Sequence, residues 1–137
     1  MAYHHRLRVR YGETDQMGVV HHANYLLFME EARTMWMAEL GCPYGELEQR
    51  GIGLPVRRTE MRCRSAARYE DELEVEVAIG RLGGASVDFV YTIRRVADGE
   101  VCVTGHVDLA CVELTAHPRK PRMLPTELRE MLERGQG

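Results

Sequence analysis

The sequence is poor in the features that announce most specialised classes of protein. It has only four cysteines in 137 residues. Cys42, Cys63, Cys102 and Cys111 form no Cys-x-x-Cys pair and no cluster, so neither a zinc module nor a disulfide framework is expected. No secretory signal precedes the first predicted strand, and reduced thiols in a cytoplasm are the expectation. Long apolar runs are missing as well. The most apolar stretch, Tyr25 to Leu40, is broken by Glu30, Glu31 and Arg33 and fails as a membrane span. With a net charge of −3 there is no general attraction to polyanions, and nucleic acid is not an expected partner. Lysine is almost absent, since arginine supplies 17 of the 18 basic residues and glutamate 16 of the 21 acidic ones. Surface Glu/Arg pairing and a GC-rich genome would each produce that skew. Internal repeats, low-complexity segments and interdomain linkers are absent too.

The residues that are present have the composition of an ordinary globular protein, 45% apolar and 28% charged. At this length they make one domain, residues 1–137, around a single core. Leu7, Val9 and Tyr11 alternate with Arg6, Arg8 and Arg10, which predicts a first strand with one buried face. A helix is predicted from about His22 to Leu40, stopped by Gly41 with Pro43 just beyond. Its polar residues do not gather into one stripe, so it is expected to be enclosed on most sides, by a sheet and by a neighbouring subunit. A shorter helical turn follows, Tyr44 to Arg50.

From Ile52 onward the period changes to two. Leu54 to Arg64 reads as a strand. Leu73, Val75, Val77 and Ile79 then face one way and Glu72, Glu74 and Glu76 the other, as in a half-buried antiparallel strand. Turns at Gly83-Gly84 and Asp98-Gly99 lead into Val87 to Ile93 and Val101 to Leu109, which completes a meander. No helices separate these later strands, so a parallel sheet is excluded and the class is α+β. The segment 118–137, with its prolines, is expected to be a terminal extension carrying a short helix capped by Thr126. The aromatic residues Tyr25, Phe28, Trp36, Phe89 and Tyr91 are expected to fill the core.

The segment that carries chemistry is Tyr11-Gly-Glu-Thr-Asp15-Gln-Met-Gly18-Val-Val-His21-His22-Ala-Asn24-Tyr25. It sets a carboxylate, a glycine turn and a helix start in immediate succession. Unpaired N–H groups at a helix start and the positive end of its dipole stabilise charge developing on a carbonyl oxygen. A base and an oxyanion hole therefore come from one short stretch. The adjacent His21 and His22 have no carboxylate at ligand spacing on their face, and a metal site is not expected. Gly51-x-Gly53 precedes a strand and is no dinucleotide fingerprint.

This run, followed on the helix by Met29-Glu-Glu-Ala-Arg33-Thr34, resembles the hotdog-fold acyl-CoA thioesterases. The nearest branch is the 4-hydroxybenzoyl-CoA thioesterase family, in particular its bacterial Tol-Pal-linked type. The resemblance implies a curved antiparallel sheet wrapped around a long central helix, and hydrolysis of an acyl-CoA to free acid and CoA. The alternative is a hotdog protein that binds an acyl carrier without catalysis. By the same resemblance Asp15 is the general base or nucleophile and the His22 N–H the oxyanion donor, with a possible side-chain role for that histidine. Asn24 and Tyr25 would hold the helix start and line the acyl pocket. His21 departs from the family pattern, where an aromatic residue is usual, and leaves acyl preference open.

Arg81 and Ser86 occupy the region where related enzymes bind the CoA nucleotide, with Arg57, Arg58, Arg62 and Arg64 as alternatives for the phosphates. Glu31 is read as paired with Arg33, Arg62 or Arg64. No metal or organic cofactor is implied. The expected partners are an acyl-CoA substrate and further copies of the chain, as a dimer or tetramer, with no membrane insertion.

Overall fold

A computed structural model describes all 137 residues. The element order is β1 (Ala2–Arg8), α1 (His22–Glu39), α2 (Tyr44–Gln49), β2 (Ile52–Gly53), β3 (Val56–Cys63), β4 (Glu72–Leu82), β5 (Ser86–Arg95), β6 (Val101–Ala110), β7 (Val112–Glu113), β8 (Lys120–Pro121) and α3 (Thr126–Gln136). The main sheet has five strands in the order β1-β4-β5-β6-β3, and every pairing in it is antiparallel. β4, β5 and β6 form the expected meander at its centre. Their inward residues Leu73, Val75, Val77, Val87, Phe89, Tyr91, Ile93, Val103, Val107 and Leu109 are buried.

α1 lies against that apolar face. Tyr25, Phe28, Met29, Ala32, Trp36 and Met37 are buried on it, and the ring of Trp36 stands edge-on to Phe89, with centroids 6.3 Å apart. Gly105 sits in β6 opposite Met61 and Tyr91. A Cβ there would come within 2.5 Å of the Glu60 carbonyl oxygen and 3.4 Å of the Met29 side chain, so only glycine lets β3 and α1 approach this closely. The helix ends at Gly41, whose φ of +98° suits the left-handed conformation of a C-terminal stop. Its outer side, including Ala23, Leu27, Thr34, Met35 and Ala38, remains exposed.

Three expectations need correction. The first strand ends at Arg8, and Tyr11 begins a short 3₁₀ turn, Tyr11–Glu13, with its ring exposed. The cause is local: the Glu13 carboxylate accepts the Arg10 N–H at 2.7 Å and pulls the chain round. Secondly, Thr126 does not cap α3 with its side chain; Pro125 occupies the cap position. Thirdly, the C-terminal segment is part of the core. Leu128, Met131 and Leu132 are each at most 2% exposed, α3 packs on β4, and β8 joins β7 and β2 in a small second sheet.

Replacing Leu128 or Leu132 by alanine is expected to lower unfolding free energy by about 2–5 kcal/mol. A surface decoration would change it by about 0.5 kcal/mol or less. Urea denaturation of the two variants separates these outcomes.

Candidate active site

The loop between the 3₁₀ turn and α1 is fixed almost wholly by backbone bonds. Asp15 N–H donates to the Val19 carbonyl at 2.9 Å and Gly18 N–H to the Asp15 carbonyl at 3.0 Å, closing a tight turn. Gly18 takes a φ of +79°, a conformation costly for any residue with a Cβ. Val20 N–H then donates to the Ala67 carbonyl at 2.8 Å, tying the loop to the segment after β3. Within this turn Asp15 Oδ1 accepts the N–H groups of Met17 at 2.9 Å and Val19 at 3.4 Å. Its other carboxylate oxygen has no protein donor.

The start of α1 is pinned to the same loop. His21 stands at the N-cap in an extended conformation, and its Nδ1 accepts the Ala23 N–H at 3.3 Å. The capping role was not anticipated for His21; a side-chain acceptor at this position normally comes from Ser, Thr, Asp or Asn. The two histidine rings stack with centroids 4.5 Å apart. His22 is the first helical residue, and its N–H is one of those left without an intrahelical partner. Asn24 reaches back, donating from Nδ2 to the Glu13 carbonyl at 2.9 Å, the same oxygen that accepts the His21 N–H at 2.9 Å.

Asp15, His22 and Tyr25 line one cavity of about 320 Å³ with Val19, Val20 and the segment Cys63 to Ala66. Tyr25 is buried, its hydroxyl accepts the Ala67 N–H at 3.3 Å, and burial pushes its pKa above the ordinary tyrosine value. Asn24 is outside this cavity and acts on it only by holding the loop. The arrangement presents a carboxylate oxygen and an open helix N-terminus to the same small volume, which suits attack on an ester-like carbonyl.

Arg81 and Ser86 lie elsewhere. They share a second cavity of about 260 Å³ with Arg57, Arg58, Asp88, His106 and Asp108. That cavity adjoins the Val56 end of β3, whereas the Asp15 cavity adjoins the Cys63 end. Arg57 is engaged there by Asp108 at 2.8 Å. His106, unremarked in the sequence, bonds Asp88 at 3.0 Å and Glu60 at 3.3 Å. The Asp88 hydrogen bond is the main cause of its raised pKa. Strand register alone assembles this trio, so no local motif signals it.

Glu31 does not pair with an arginine. It is exposed and contacts His5 Nε2 at 2.5 Å, because its position on α1 faces β1. Arg33 is instead the one buried charged side chain. It donates from Nη1 to the Tyr91 hydroxyl at 2.9 Å, and burial holds that tyrosine up at about 12.

Asn24→Ala is expected to cost about 1 kcal/mol of stability. It should also speed hydrogen exchange at the amides of Asp15, Gly18 and Val19 without altering exchange in β4 and β5. Uniform exchange changes across the sheet would contradict a local pinning role.

The sequence matches the thioesterase-like superfamily over residues 9–132. A putative acyl-CoA thioesterase of Bacillus subtilis, YneP, is 35% identical over 107 residues, which cover 78% of this chain and 77% of that protein. The acyl-CoA thioester hydrolase YbgC of Escherichia coli is 30% identical over 122 residues, 89% of each chain. Among solved structures, a DHNA-CoA thioesterase from Staphylococcus aureus has a TM-score of 0.91 at 27% identity, covering 98% of this chain and 91% of that one. With this family match over most of the chain and relatives at this identity, the chain belongs to the thioesterase-like superfamily of hotdog-fold proteins.

Proposed function

We propose that the protein is an acyl-CoA thioesterase, hydrolysing the thioester to a free acid and CoA. The observation that carries this reading is the shared cavity of Asp15 and the His22 helix start. The carbonyl oxygen of the substrate is directed at the His22 N–H, and Asp15 delivers water or attacks the carbon directly. Charge that develops on the oxygen meets the positive end of α1. Tyr25 forms part of the acyl wall and Asn24 holds the helix start. A thioester is already activated towards attack, so the reading calls for no metal or organic cofactor.

The working unit in this reading is at least a dimer. β3 is an open edge, and all but one of its eight residues are exposed. An unpaired edge of this kind is satisfied when a second copy pairs with it about a two-fold axis. Such antiparallel pairing sets the Val56 end of one β3 beside the Cys63 end of the other. The Arg81 and Ser86 cavity of one copy would then neighbour the Asp15 cavity of its partner, where it could receive the CoA phosphates. No helix is long and apolar enough to cross a membrane. The four unpaired cysteines support a reducing, cytoplasmic setting.

Thiol release from short, long, branched and aromatic acyl-CoAs tests the reading. Asp15→Asn, with its fold verified, is expected to lower turnover by roughly 10²- to 10⁴-fold. Equal rates in both proteins would remove Asp15 from the chemistry. Wild-type protein that binds acyl-CoA and never hydrolyses it would be a binding protein.

A further inference from the structure

The cavity that holds Arg81 and Ser86 has no apolar residue in its wall, and strand register decides which charges meet there. Asp88 on β5 and Asp108 on β6 are directly opposite each other, a pairing of like charges that destabilises a sheet unless each is neutralised. Each has its own cation. Arg57 grips Asp108 at 2.8 Å, and His106 Nδ1 meets Asp88 Oδ1 at 3.0 Å. The other nitrogen of the same ring, Nε2, meets the Glu60 carboxylate on β3 at 3.3 Å. An ionised carboxylate only accepts, so a ring bonded to one at each nitrogen carries a hydrogen on both and is an imidazolium. The Asp88 bond, followed by the Glu60 bond, holds its pKa above the ordinary histidine value. The remaining neighbours add no further anion. Arg58 approaches Glu60 at 3.7 Å, and Arg62 shares with His106 the adjoining hollow on the same face. From β4, Gly80 lies against Asp88, where an added Cβ would stand 3.2 Å from Oδ2, and Arg81 joins the cavity wall.

We infer that His106 is a positioning residue of the CoA site: as an imidazolium it holds Asp88 and Glu60 away from an incoming phosphate, and the cavity loses its affinity when the ring loses its proton. This role rests on the thioesterase reading, which brings the CoA phosphates to this cavity. Arg57, Arg58, Arg81 and the charged ring set four cations in the wall against the carboxylates of Asp88 and Asp108. A neutral ring subtracts one of those cations. It can also donate from one nitrogen only, so either Asp88 or Glu60 is left as a bare carboxylate beside the anion. Both changes act in the same direction on a phosphate a few ångströms away, and together they are expected to weaken binding roughly tenfold after screening by salt.

Calorimetric titration with CoA at about pH 6.5 and about pH 9 spans the change. Wild-type Kd is expected to rise roughly tenfold between them. A phosphate monoester gains charge above its second pKa of about 6, which would tighten binding, so weakening with rising pH has to come from the protein. His106→Gln should show the weaker Kd at both pH values, and His106→Lys the tighter one at both. Adding Asp88→Asn to His106→Gln should recover much of the affinity, because the carboxylate that the ring neutralised is gone. In turnover, KM for a CoA thioester should follow these Kd values. The kcat, and both constants for the phosphate-free N-acetylcysteamine thioester of the same acyl group, should stay within about twofold of wild type at each pH. A wild-type Kd that does not weaken with pH would overturn the inference whether or not the variants fold. An unchanged Kd in His106→Gln, or a loss of kcat shared by both thioesters, would also overturn it. Protein that binds CoA with the expected pH dependence and hydrolyses neither thioester would uphold the role of His106 while the thioesterase reading falls.

Discussion

The seating of α1 on the concave face of the sheet is the contact on which the rest depends. One helix supplies the centre of the core through Phe28, Met29, Ala32, Trp36 and Met37, and its first turn supplies the free N–H groups of the site. Packing at the middle of the helix therefore sets the position of its end. Because interiors are close-packed, a helix held by residues of this size has little freedom to slide along its axis. The position of His22 inherits that precision from side chains that never approach it.

The loop in front of the helix is controlled differently. It has few apolar contacts of its own and is held by a chain of short backbone bonds from Glu13 to Val20, with Asn24 reaching back across it. Asp15 spends one oxygen on that scaffold and leaves the other free. A carboxylate fixed in this way has a defined orientation without being buried in a salt bridge that would remove it from reaction.

Much of this was legible in the amino-acid order. Alternation from Leu73 to Ile79 gave the buried face of β4, and the glycine turns placed β5 and β6, because a half-buried antiparallel strand imposes period two on its sequence. Asp15, His22 and Tyr25 could be named together since they are neighbours in the chain. What escaped notice depends on tertiary register. His106, Asp88 and Glu60 come from three strands, and the segment Cys63 to Ala66 reaches the Asp15 cavity only because the end of β3 is fastened beside the loop. The early end of β1 turned on one bond, from Arg10 N–H to the Glu13 carboxylate, which no periodicity encodes. The two-residue strands β2, β7 and β8 are too short to carry a period. In α3 the pattern Leu128, Met131, Leu132 was present, but the surrounding prolines and charges drew the reading towards a surface tail.

The part played by α3 has a consequence for how the protein is made. Leu128, Met131 and Leu132 complete an interior whose other walls come from β4 and α1, and Gly135 lies against Trp36, Leu40 and Ile79. A chain emerging from the ribosome can assemble the meander as soon as β6 is out. It still has an open apolar flank until the residues of α3 follow. Folding during synthesis is thus bound to finish late, when α3 has left the ribosome and can close that flank.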